Sequence, residues 1–166
     1  MNIMLVFYLM IPAYLANMAP ALIGRYFPRI PMDFGLSLGK VRIFGDNKTW
    51  AGFVSGVVVA VIVGFILSKI YWPFDFSAVY WSGLVGLGAM AGDAVKSFFK
   101  RRVNIKPGQS WIPFDQVDFT IGALILGSFV FFPGWLYAIL VVVISAVGHI
   151  LINHLGYYLG TQKNKW

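Results

Sequence analysis

Asp93, Ser97 and Lys100 stand at i, i+4 and i+7, a spacing that puts them on one face of a helix. Lys96 lies beside them. Asp115 and Asp118, at i and i+3, share a face at the start of the next apolar run. Between the two groups runs a basic loop, Lys100-Arg101-Arg102-Val103-Asn104-Ile105-Lys106-Pro107-Gly108, followed by Trp111, Pro113 and Phe114. Three aspartates on adjoining helix ends repel one another. An Asp at the centre of a membrane helix costs about 2.5–3.5 kcal/mol. Something positive must neutralise them, either the basic loop or a divalent metal. Carboxylate oxygens suit Mg2+, which binds through one or two carboxylates plus substrate phosphates. Snorkelling at a helix end would account for Lys100, Arg101 and Arg102, but it leaves the aspartates unexplained. Carboxylates for metal, cations for phosphate oxygens and an apolar surround together describe a phosphoryl- or nucleotidyl-transfer site that admits lipid. Such chemistry rests on positioning and on neutralising developing charge. A phosphate acceptor needs no separate nucleophile.

A second polar segment, Gly45-Asp46-Asn47-Lys48-Thr49-Trp50-Ala51-Gly52, opens an apolar run. Thr49 or Asn47 would cap the helix that follows. A helix start offers free N–H groups and a positive dipole end to phosphate, and Lys48 adds a point charge. Ordinary turn-and-cap chemistry accounts for Gly-Asp-Asn equally well. Trp50 has two readings, stacking on a base or an interfacial belt residue. His149 and His154 are five apart, off a common face, and read as satisfied polar residues of a helix.

The elements that must hold these residues are written in the composition. The 166 residues are 59% hydrophobic and 11% charged, with mean hydropathy +0.77, against roughly 25% charged in a soluble domain. The natural solvent of such a chain is lipid, and its length suits one domain, 1–166. A hydrocarbon core of about 30 Å needs about 20 apolar residues in a helix. Runs at 3–23, 50–69, 76–95, 115–133 and 135–159 predict an all-α integral membrane protein of five transmembrane helices. The first run lacks a basic leader and is too long for a signal-peptide core, so it reads as a helix that stays. Twelve of the 13 Lys and Arg fall on one side. They are Arg25, Arg29, Lys40, Arg42 and Lys48, then Lys96, Lys100, Arg101, Arg102 and Lys106, then Lys163 and Lys165. Lys69 alone lies opposite. The N-terminus is therefore expected outside, and the C-terminus and polar segments on the cytoplasmic side of the cell membrane. The cations are accounted for by topology and phosphate, with no nucleic-acid partner expected. With no cysteine, thiol chemistry and disulfides are excluded. Gly52/Gly56 and Gly88/Gly92 have the spacing of close helix contacts, compatible with packing inside the bundle or with a homodimer.

The pattern Ser97-x-x-Lys100-Arg101, then Lys106 after four residues, then Pro113 and Asp115-x-x-Asp118, resembles the membrane phosphatidate cytidylyltransferase family. Its finer form is Gly92-Asp93-x-x-Lys96-Ser97-Phe98, Lys106-Pro107-Gly108 and Trp111-x-Pro113-Phe114-Asp115-Gln116-x-Asp118-Phe119. With Asn47-Lys48-Thr49-Trp50, this is similar to the archaeal, CDP-archaeol synthase branch. The resemblance covers roughly 45–120. In the bacterial branch an acidic residue follows the loop lysine and a His-Gly-Gly precedes the aspartates; here Pro107 follows Lys106 and no histidine is near. The resemblance implies transfer of CMP from CTP to a lipid phosphate, with pyrophosphate released and Mg2+ assisting. In the archaeal branch the acceptor is an isoprenoid glycerol phosphate, unsaturated archaeol phosphate with two geranylgeranyl ethers on glycerol-1-phosphate. Carried onto this chain, Asp93, Asp115 and Asp118 would hold the metal. Ser97, Lys100, Arg101, Arg102 and Lys106 would hold the phosphates, and Asn47, Lys48, Thr49 and Trp50 would shape the nucleotide pocket. Rival readings are a CDP-diacylglycerol synthase-like enzyme, a CDP-alcohol phosphotransferase, whose long Asp-Gly-x-x-Ala-Arg signature is absent, and a small cation transporter, for which neither an inverted repeat nor a broken helix is visible.

Overall fold

A computed structural model describes residues 2–106 and 109–158, apart from the Arg25 side chain. Lys163 and Lys165, the side on which the C-terminus ends, and the Pro107-Gly108 part of the basic loop lie outside the described residues.

Five helices form an antiparallel bundle: α1 (Ile3–Leu22), α2 (Trp50–Ile70), α3 (Ala78–Arg102), α4 (Phe114–Gly127) and α5 (Trp135–Tyr158). Side chains cap three of the starts: Asn2 accepts from Met4 N, Thr49 from Gly52 N and Ser77 from Tyr80 N, each covering an N–H that the helix cannot satisfy itself. A small antiparallel hairpin, β1 (Ser37–Leu38) with β2 (Val41–Arg42), lies between α1 and α2 and qualifies the all-α expectation. α3 is central and packs on α1, α2 and α4, while α5 leans mainly on α4.

Two helices differ from the runs read in the sequence. α3 does not end near residue 95 but continues to Arg102, 25 residues in all. Its charged last turns stay helical because their side chains find partners across the bundle. α4 has 14 residues, about 21 Å at 1.5 Å per residue, well short of the apolar run 115–133. The chain turns after Gly127, with Val130 N and Phe131 N both donating to the Gly127 carbonyl. Beyond that point Val130 and Phe131 pack against the core, while Phe129 and Phe132 face outward. Among the described residues, three helices are long and apolar enough by themselves to cross a membrane, Ile3–Leu22, Trp50–Ile70 and the Trp135–Leu155 part of α5. Their outward faces bear large apolar side chains such as Val54, Val58, Ile62, Ile139, Val143 and Leu151, the arrangement of a bundle solvated by lipid.

Inside, small residues dominate. Ala13, Ala16, Ala60 and Ala89 are fully buried, and helix backbones approach closely where Gly56 meets Met90 and Gly64 meets Ser82. The end of the bundle carrying the α2–α3 and α4–α5 connections is filled by rings. Trp72, Phe74, Phe76 and Phe131 pack edge to face, tilted or stacked with centroids 5.0–6.5 Å apart, and Phe76 and Phe131 meet the buried Trp81, whose Nε1 donates to the Leu9 carbonyl at 2.9 Å. The opposite end is polar.

Candidate active site at the polar end of the bundle

Glycines bring the aspartates together. A Cβ built on Gly92 would lie 2.3 Å from the Asp118 carbonyl oxygen, and one on Gly122 would lie 2.1 Å from that of Gly88. The α3 and α4 backbones therefore touch one helical step from Asp93 and at Asp118 itself. With the helices this close, the Lys96 Nζ reaches Asp93 Oδ1 at 3.0 Å, Asp115 Oδ1 at 3.0 Å and Asp118 Oδ2 at 2.8 Å. Lys48 pairs with the other oxygen of Asp93. Lys100 Nζ donates to both oxygens of Asp115, at 3.0 and 2.9 Å, and to the Gln109 carbonyl at 2.5 Å. Trp111 N donates to Asp115 Oδ2 at 2.6 Å, and Phe119 N to Asp118 Oδ1 at 2.7 Å. Three carboxylates thus face three ammonium groups in a mostly buried, charge-balanced cluster, which is how the repulsion anticipated from the sequence is resolved.

The segment before α2 delivers Lys48. Asp33, 3% exposed, accepts from Arg42 Nη2 at 2.5 Å, Phe44 N at 2.9 Å, Gly45 N at 3.0 Å and Gly35 N at 3.1 Å. Burial alone would raise its carboxyl, but the guanidinium and these N–H groups hold it well below the usual carboxylate range. Its bond to Gly35 is a turn closed by its own side chain, followed by Gly39 and Gly45 at positive φ. Arg42 also reaches Asp46 at 2.8 Å. Met32 N donates to the Lys48 carbonyl and Trp50 N to that of Ile30, so the folded loop is laced to the start of α2. Arg102 locks it to α3, with its Nη1 donating to the Arg42 carbonyl at 3.0 Å and its guanidinium over the Phe98 ring.

Cavities surround the cluster. One of about 330 Å3 lies between α1, α2, α3 and the loop, with Arg29, Asn47, Lys48, Thr49 and Asp93 on its walls. A smaller one, about 130 Å3, is bounded by Asn47, Lys48, Lys96, Ser97, Lys100 and Arg101. On the far side of the carboxylates, about 290 Å3 is lined by Asn17, Gln116, His149 and Asn153 together with the three aspartates. Gln116 is 1% exposed, and its Oε1 accepts no hydrogen bond from a described residue. An apolar groove of about 540 Å3 runs between α3 and α4 and begins at Lys96 and Asp118.

Most residues singled out in the sequence therefore meet here: Asp93, Asp115, Asp118, Lys48, Lys100, Asn47, Thr49, Ser97 and Arg101. Three do not line these cavities. Arg102 holds the loop, Lys106 is exposed, and Trp50 is 41% exposed between Phe34 and Phe53. Sequence reasoning missed others. Lys96 is the hub, signalled by its i+3 spacing from Asp93. Asp33 carries the loop; its local signal is the Phe34-Gly35 turn after it. The two histidines part company: His154 Nδ1 faces the Ile150 carbonyl at 2.9 Å, while His149 borders the carboxylate cavity.

Among the described residues, no three carboxylate or imidazole groups close into a ready metal cage. They close on an ammonium ion instead. Mg2+ takes one or two carboxylates and fills its remaining positions with water and substrate phosphates; Asp93, Asp115 and Asp118 offer such oxygens beside polar cavities with room for phosphate, so the residues fit such an ion.

The family described as CarS-like, CDP-archaeol synthase, matches residues 1–166. The CDP-archaeol synthase of Thermofilum pendens is 39% identical, over 94% of this chain and 78% of its own length. Those of Methanoculleus marisnigri and Pyrococcus furiosus are 38% and 37% identical, over 95% and 96% of this chain and 100% and 96% of their own. A solved structure of an intramembrane enzyme for archaeal membrane lipids biosynthesis superposes with a TM-score of 0.81 at 31% identity, covering 92% of this chain and 94% of that one.

Proposed function

This chain belongs to the CDP-archaeol synthase family, and we propose that it transfers CMP from CTP to unsaturated archaeol phosphate at the cytoplasmic face of the cell membrane. The observation that carries this reading is the convergence of Asp93, Asp115 and Asp118 with Lys48, Lys96 and Lys100, between polar cavities on one side and an apolar groove on the other. A phosphate on an apolar stem is the molecule whose two ends suit that junction.

In the reaction, an oxygen of the lipid phosphate attacks the α-phosphorus of CTP. A new P–O bond forms, the bond from the α-phosphorus to the bridging oxygen breaks, and pyrophosphate leaves with those electrons. Asn47, Lys48, Ser97, Lys100 and Arg101 hold the triphosphate at the start of α2, where Thr49 sets the first turn and free N–H groups add partial positive charge. Lysines now paired with carboxylates exchange them for phosphate oxygens. Asp93, Asp115 and Asp118 would hold Mg2+, and the ion would supply neutralisation of charge on the phosphates. Lipid chains lie along the α3–α4 groove, so the headgroup reaches the charged cluster without leaving the bilayer. α3 and α4 complete five membrane crossings with the N-terminus outside. This arrangement is supported by the apolar faces of α1, α2 and α5 and by the gathering of Lys and Arg at one end.

The test is incorporation of radiolabelled CMP into lipid by the purified chain with Mg2+. Acceptors should include unsaturated archaeol phosphate, its saturated form and phosphatidate, each offered with CTP and with the other nucleotides. Label in unsaturated archaeol phosphate from CTP, with matching pyrophosphate, is expected. Label in none of the lipids would sink the reading; equal label in phosphatidate would sink its lipid specificity.

A further inference from the structure

Lys96 stands where a metal ion would stand. Its Nζ is 2.8–3.0 Å from one oxygen of each of three carboxylates, and its side chain is 14% exposed. Walls of three cavities meet on it: the small cavity beside Ser97, the polar one beside His149, and the apolar groove between α3 and α4. Lys48 and Lys100 take further oxygens of Asp93 and Asp115, so the cluster carries no net charge. A neutral cluster attracts a second cation weakly. A divalent ion added alone would leave two surplus positive charges in a largely buried site, which is costly. A triphosphate arriving with the ion removes that surplus.

We propose that Lys96 is a resident counter-ion that competes with the divalent metal for Asp93, Asp115 and Asp118. The carboxylates then accept the metal only together with nucleotide phosphates, and those phosphates receive the displaced ammonium. The inference rests on the metal-assisted reading above and has Lys96 hold the carboxylates first and the nucleotide phosphates afterwards. A lysine suits this role because its charge is compact and rides on a flexible four-carbon stem. It can move from carboxylate to phosphate without moving the helix. Arginine, with a planar fork, would be held more rigidly. An enzyme built this way keeps its charged cluster filled between turnovers and takes metal as the metal–nucleotide complex.

The experiment is equilibrium dialysis of the detergent-solubilised full chain against Mn2+, with and without CTP and with no lipid phosphate present. Protein-retained Mn2+ is the quantity measured. Wild type should retain Mn2+ at least about tenfold more tightly with CTP than without. Lys96→Met should retain Mn2+ without CTP at least about tenfold more tightly than wild type, whereas Lys96→Arg, which keeps the charge, should not. Adding Asp118→Asn to Lys96→Met should remove the gain. A Lys96→Met protein that stays folded only when Mn2+ is supplied would support the proposal, since the carboxylates then need some cation. Nucleotide-free wild type that binds Mn2+ as tightly as the CTP-bound protein would overturn it, a result that needs no variant. So would a folded Lys96→Met that binds Mn2+ no better than wild type. Normal CMP transfer alongside either result would leave the proposed activity standing, and absent CMP transfer with the expected Mn2+ binding would do the reverse.

Discussion

Replacing Gly92 by alanine tests whether the α3–α4 contact builds the site. The added Cβ would lie 2.3 Å from the Asp118 carbonyl oxygen and 3.3 Å from Gly122 Cα, where ordinary contact begins at 3.4 Å. Backbone cannot rotate aside as a side chain can. The helices must part by the shortfall, about 1.1 Å. Asp93 is the next residue on α3 and Asp118 carries the struck carbonyl, so the displacement falls between two of the three carboxylates. A misplacement of about 1 Å at a reacting centre costs about 100-fold in rate, while overpacking a contact typically costs about 1–3 kcal/mol of stability. Gly92→Ala is thus expected to remain folded in membranes with a lowered Tm and to lose about two orders of magnitude in CMP transfer. Gly83→Ala is the control. It lies on the same helix, and its Cβ would meet Val61 at 3.6 Å, an ordinary contact. The assay is radiolabelled CMP entering lipid, run beside thermal unfolding of both variants. If Gly92→Ala kept more than half of wild-type turnover, close approach at this point would not be what sets the carboxylate geometry.

Asp118→Asn should cut turnover at least about 100-fold while the protein still inserts and folds, because Lys96 keeps Asp93 and Asp115 as partners; full activity would remove Asp118 from the proposed metal site. Asp33 has a folded pKa below its unfolded one, so its contribution to stability is complete above the ordinary carboxylate value, about 4, and is lost as pH falls through the folded value. The Tm gap between wild type and Asp33→Asn should therefore hold steady from about pH 7 to 5 and narrow below about pH 4; a gap that widens in acid would contradict this. Because the chain has no cysteine, single cysteines report topology directly. Lys40→Cys should react with a membrane-impermeant maleimide only in inverted vesicles, and Asp75→Cys only in right-side-out ones, with the opposite pattern reversing the proposed orientation.

Local pattern made much of this site legible. Spacing alone put Asp93 and Lys100 on one helix face and Asp115 with Asp118 on another, and Thr49 caps α2 as its residue type suggests. What spacing could not supply was the relation between the two faces. That depends on Gly88, Gly92 and Gly122, whose value lies in an absent Cβ at one particular crossing. Lys96 is an ordinary neighbour of Asp93 until α4 is laid against it. Asp33 is harder still, since its partners lie up to 12 residues away in an irregular loop whose shape no periodicity encodes. The apolar stretch after Gly127 misled in the other direction. Hydrophobic residues do not by themselves say helix: here Phe131 is held by rings at the bundle end, and Phe129 and Phe132 lie on the outside, where an apolar solvent suits them.

Those rings have a consequence for the cell. A bundle with lysines and aspartates lining cavities at one end is part of the way to being a pore. Trp72, Phe74, Phe76, Trp81 and Phe131 fill the other end with aromatic rings in contact with one another. Ions and protons drawn in by CTP and its counter-ions meet a hydrophobic floor. A floor of that kind would oppose passage of the ions that accompany the nucleotide, since a charge is costly to move through an apolar layer.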